Sequence, residues 1–134
     1  MSGFVAAEIM RGIQLGHDPL HRVETAVRAG WMNVMNIETD LEKAQFESLS
    51  ISLGLGEASS IALAANRDWV FASDDRPARI AAGSRDVKLT GTIGILAKAI
   101  IEKILTREKA DEILALMIKR GFYAPVKSMK SLVD

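Results

Sequence analysis

The chain has 134 residues, 49% hydrophobic and 25% charged, which suits one compact globular domain over 1–134 and excludes a disordered chain. Seventeen basic and seventeen acidic residues leave zero formal net charge, so any nucleic-acid binding needs a local patch. With no cysteine, disulfides, Cys-ligated zinc and thiol catalysis are excluded.

Along the chain, Val5, Ile9 and Ile13 recur at helical spacing and predict a helix over Phe4 to Gly12. Asp18-Pro19 suits the start of a second helix, with Leu20, Val23 and Val27 on one face and Gly30 as its stop. His17 and His21 stand four apart without an H-E-x-x-H signature and read as a surface pair. Trp31 to Met35 alternates and predicts a short strand. Thr39 to Leu49 reads as a helix capped by Thr39 or Asp40.

After Gly54-Leu55-Gly56, a further helix opens with Glu57, and its Ala58, Ile61, Ala62 and Ala65 are small enough to sit close to a sheet. Trp69 to Ala72 predicts a buried strand, and one of Ser73, Asp74 and Asp75 caps a helix beginning at Arg76-Pro77. Val87 to Leu89 predicts another strand. Thr90-Gly91-Thr92-Ile93-Gly94 leads into a helix over Ile95 to Leu105. Thr106 caps a last long helix to Arg120, with Ile113, Leu116 and Met117 as its buried stripe and Gly121 as its stop. The tail Val126 to Asp134 has room for one more turn. Short strands alternating with helices predict an α/β fold with a parallel sheet. No apolar run approaches the roughly 18–20 residues that span a bilayer, and MSGFVAAEIMRG is unlike a signal peptide, so a soluble cytoplasmic protein is expected.

In such a sheet, function collects at the carboxyl ends of the strands. Asp74 and Asp75 follow a strand directly, while Glu57 and Glu8 stand near helix starts that can face the same edge. Four carboxylates there repel one another unless a cation lies among them, and hard oxygen ligands select Mg²⁺ or Mn²⁺. Each acid also has a plainer reading. Asp75 is equally an N-cap, Glu57 equally a first-turn acid that complements the helix dipole, and Glu8 a surface glutamate. Thr90 to Gly94 lacks the G-K-[ST] ending of a phosphate loop and reads better as a tight turn, although binding of a small phosphate compound there is a third reading.

Taken in order, G-E-x-x-x-I-x-L-A at Gly56 to Ala64, D-D-x-x-A-R at Asp74 to Arg79, G-T-x-G-x-L at Gly91 to Leu96 and G-F-Y at Gly121 to Tyr123 resemble one family. It is the PIN-like domain of unknown function 3368, whose members are predicted nucleic-acid-binding relatives of toxin–antitoxin ribonucleases. Phe4 to Ile9 is similar to its V-x-x-E-I segment. The resemblance implies a three-layer α/β/α fold with a short parallel sheet. Because the chain begins at the V-x-x-E-I helix, it also implies an N-terminally truncated domain without the family's first strand, first helix and first acid. It implies Mg²⁺- or Mn²⁺-assisted hydrolysis of RNA, with Glu8, Glu57, Asp74 and Asp75 as metal ligands and Glu57 and Asp75 as the catalytic pair. Ser73 falls where a small hydroxyl residue assists the last aspartate. An antitoxin protein is the implied partner, and a catalytically impaired module that binds RNA or a protein partner is the alternative. Apart from the resemblance, a homodimer is expected because exposed strand edges and Met-rich surfaces tend to be covered.

Overall fold

The computed structural model describes residues 1–133. Seven α-helices and two short strands are found among them: α1 (Gly3–Gln14), α2 (His21–Arg28), α3 (Asp40–Ser50), α4 (Leu55–Arg67), β1 (Phe71–Ala72), α5 (Arg76–Gly83), β2 (Leu89–Thr90), α6 (Thr92–Ile101) and α7 (Arg107–Lys119). Single 3₁₀ turns lie at Asp18–Leu20 and Met129–Ser131. The chain is thus mostly helical, with β1 beside β2 as a parallel pair held by Phe71 N–H to Lys88 O (2.8 Å) and Ser73 N–H to Thr90 O (3.1 Å). No helix is long and apolar enough to cross a membrane among the described residues.

Helix starts follow local chemistry. Ser2, Thr39, Asp75 and Thr106 each accept a hydrogen bond from a first-turn N–H of α1, α3, α5 and α7, and Pro77 stands in the first turn of α5. Gly121 takes φ +101° just after α7, as expected of its stop.

Three expectations fail for reasons of packing. The buried strand over Trp69 to Ala72 shortens to Phe71–Ala72, where only Phe71 is buried, and Trp69 and Val70 are exposed. Trp31 to Met35 forms no strand: Trp31 and Val34 are exposed, and only Met35 bridges in parallel to Ser2, through Met35 N–H to Met1 O and Gly3 N–H to Met35 O, both 2.9 Å. With no further strand alongside, its alternation has nothing to pair with. On α7 the buried residues are Ala110 and Leu114, with Ile113 partly buried, whereas Leu116 is exposed. The buried stripe is therefore rotated from the predicted one.

The chain divides into two compact units. The first comprises 1–71 and 75–89. Its core is Leu49, Ala58, Ile61, Ala62, Ala64, Phe71, Ala78, Ala82 and Val87, flanked by Phe46 and Leu53. The small residues of α4 let neighbouring helices close in, α3 most extensively, then α1 and α5. The second unit comprises 72–74 and 90–134. There Leu96 of α6 and Ala110 and Leu114 of α7 pack with Met129. Asp111 closes that tail by accepting from Met129 N–H (2.6 Å) and Ser128 Oγ (3.0 Å). Asp134 lies outside the described residues.

Candidate functional site

The start of α1 is pinned to α4. Ser2 is buried and caps α1, and Ser59 donates its hydroxyl to Ser2 Oγ (2.8 Å), while Ser59 and Ser60 also reach the Gly56 carbonyl at 3.0 and 2.7 Å. This contact brings the flank of α1 against the first turn of α4. Glu8 then lies so close to Gly56 that a Cβ on residue 56 would stand 2.9 Å from Oε2 and 3.0 Å from Oε1. The glycine is what leaves room for that carboxylate.

Glu57 sits one residue further along the same turn, folded back until its Oε2 is within 3.7 Å of where a Cβ on Gly54 would be. Gly54 is the N-cap of α4 and offers no side-chain acceptor, so the helix start keeps its positive end uncapped. Two carboxylates therefore accompany one helix N-terminus. Neither makes a hydrogen bond or an ion pair with another described residue.

The adjacent aspartates are employed differently. Asp75 accepts from Ala78 N–H (2.9 Å) as the N-cap of α5. Asp74 accepts from the Thr92 N–H (3.0 Å) and from the Thr92 hydroxyl, which supplies α6 with the cap that its own Gly91 lacks. Each of the two negative charges is thus met by a different helix start, which explains how neighbours that repel come to stand side by side. Glu8, Glu57 and Asp75 belong to the first unit and Asp74 to the second. Among the described residues, no three His, Cys, Asp or Glu side chains gather as a metal-binding group. The histidines stay apart from any such group: both are exposed, and His21 Nδ1 lies 3.1 Å from Glu24 Oε2.

The turn at Thr90 to Gly94 is explained by packing, since a Cβ on Gly94 would lie 2.4 Å from Thr90 Oγ1. Thr92 as the partner of Asp74 and Ser2 as the partner of Ser59 escaped sequence reasoning. The small-residue run from Gly54 to Ser60 was the signal of a close approach, although it did not say by what.

A family model described as a PIN domain (domain of unknown function 3368) matches residues 1–134. The chain belongs to the PIN domain family. The resemblance carried by the four motifs is thereby borne out, and the mostly helical architecture with a small parallel sheet is compatible with a PIN-like α/β fold. Membership points to a nuclease-type function on RNA, in a family that generally depends on divalent metal. No curated protein and no solved structure matches the chain.

For such an ion the donor set fits in part. Mg²⁺ is commonly held by one or two carboxylates together with substrate phosphates, rather than by an all-protein cage. Glu8 of α1, lying against Gly56, and Glu57 in the first turn of α4 have no competing partners and are the two acids that would meet that smaller requirement.

Proposed function

We propose that this PIN domain is a metal-dependent ribonuclease whose principal acids are Glu8 and Glu57. One observation carries the reading: both carboxylates stand at the first turn of α4 with no protein partner, beside a glycine that makes room for one of them. An Mg²⁺ or Mn²⁺ ion held there would supply Lewis acidity to a phosphodiester and a more acidic bound water. Glu8 and Glu57 bind and orient, and the uncapped N–H groups of α4 add positive potential suited to a phosphate. Asp75 is the further catalytic acid of this reading. Swinging off Ala78 N–H would cost it an N-cap, about 1 kcal/mol. Asp74 would have to release Thr92. A toxin role with an antitoxin partner, and a homodimer, go with the same proposal.

The commitment of Asp74 and Asp75 to capping favours a second reading, a PIN module that binds RNA without cutting it. Labelled RNA incubated with Mn²⁺ separates the two. Under the first reading, cleavage occurs in the parent protein, stops with chelator, and is lost in both Glu8→Gln and Glu57→Gln. Cleavage that persists in the double variant would sink the assignment, and binding without cleavage by the parent would install the second reading.

A further inference from the structure

We infer that single-stranded RNA is bound by a basic ledge in the second unit, formed by Lys119, Arg120, Tyr123, Lys127 and Lys130; the inference rests on the RNA reading above and gives it a binding surface. From 113 to 133 the sequence contains no acidic residue, in a protein whose charges otherwise balance. All four cations are exposed, and none forms an ion pair with a described residue.

The backbone after α7 sorts this stretch into two faces. Phe122, Ala124 and Val126 turn inward onto the cluster of Leu96, Ala110, Leu114 and Met129. The residues between them, Gly121, Tyr123, Pro125 and Lys127, are exposed. Exposure thus alternates residue by residue from 121 to 127, along a segment that bends at Pro125 and Lys127 and forms no strand.

Tyr123 is the decisive residue. It is the only tyrosine and is 93% exposed, although an aromatic ring ordinarily buries a large apolar area. The dipole of α7 accounts for Lys119 and Arg120 at its C-terminal end. It accounts neither for Lys127 and Lys130 nor for an uncovered phenol ring in a stretch without acids. Bases stacking on an exposed ring while cations follow the phosphates is how sequence-tolerant single-strand binding works.

The test is fluorescence anisotropy of a short labelled single-stranded RNA, run in EDTA so that binding is read without cleavage. Tyr123→Ala is expected to weaken binding about tenfold, with Tyr123→Phe restoring it. The triple variant Lys119→Ala/Arg120→Ala/Lys127→Ala is expected to reduce the slope of log affinity against log salt by about 2. A duplex of the same sequence should bind less tightly and ignore Tyr123→Ala. The positions are exposed, so thermal midpoints should match the parent; if that of Tyr123→Ala falls, the triple variant decides. Parental affinity and salt slope in the variants overturn the inference, as does a parent that binds no RNA. If the parent cleaves RNA with Mn²⁺ while ledge variants bind normally, the ledge is wrong and the nuclease reading stands. If ledge variants lose binding while the parent never cleaves, the reverse holds.

Discussion

Two glutamates occupy the same position, the third residue, in the first turns of neighbouring helices in the first unit, and they live in opposite circumstances. Glu42 in α3 is 1% exposed and completely engaged: its side chain accepts from the N–H groups of Glu38 (2.8 Å) and Thr39 (3.2 Å) in a capping box, and from Arg67 Nε (2.7 Å). Glu57 in α4 has a glycine where α3 has Thr39, and no partner. The difference lies in the surroundings rather than in the residue. An acid surrounded by donors is structural, whereas one left without them at a helix start is available for chemistry.

The largest expected effect breaks the engaged member. Glu42→Ala removes the acceptor of the Glu38 N–H, the Thr39 N–H and Arg67, leaving Arg67 with Asn36 O and Glu38, and should lower stability by about 2 kcal/mol in chemical denaturation. Glu57→Gln should instead stay within about 0.5 kcal/mol of the parent. Equal losses would abolish the distinction.

The pH dependence sharpens it. Arg67, helped by the Glu38 and Thr39 N–H groups and opposed by burial, holds the Glu42 carboxyl at about 2, below its usual 4.5. A carboxyl lowered on folding stabilises the fold above pH 4.5, and that contribution disappears as pH falls toward 2. Thermal midpoints measured from pH 6 to 2 should therefore drop more steeply in the parent than in Glu42→Gln.

Smaller effects are expected at the aspartates. Asp75→Ala removes the cap of α5 and should cost about 1 kcal/mol, with Asp75→Asn recovering most of it by urea denaturation. A metal-site role alone would instead leave the apo protein unchanged or more stable.

Gly56→Ala is also mild in stability. The new methyl displaces the flexible end of Glu8 rather than backbone, so stability should change by no more than about 1 kcal/mol, with the helix preference for alanine acting in its favour. Mn²⁺-induced thermal stabilisation should nonetheless fall, because Glu8 is pushed from its seat. An undiminished Mn²⁺ response would separate Glu8 from the ion.

Helix boundaries were legible because their causes are local. Thr39, Asp75-Arg76-Pro77, Thr106 and Gly121 carry their instructions within four residues, and the helices start and stop accordingly. Strands were less so, since a strand exists only if a distant segment pairs with it. Val87 to Leu89 has such a partner, and pairing shifts the strand to Leu89–Thr90, whereas Trp31 to Met35 finds a neighbour only at Met35. The acids show the same limit. Asp75 acts on its own helix and could be anticipated, while the bond from Asp74 to Thr92 depends on β1 lying beside β2. That Glu8 rests on Gly56 depends on how α1 meets α4, which no spacing within α1 reveals.

Arg67 does more than hold Glu42: its guanidinium lies 5.2 Å from the centre of the Trp69 ring. The indole therefore senses whether that arginine stays in place, and its emission should respond when acid loosens the pair. Trp31, 71% exposed, is the competing emitter, so Trp31→Phe would leave a single built-in optical gauge of the α3–α4 junction.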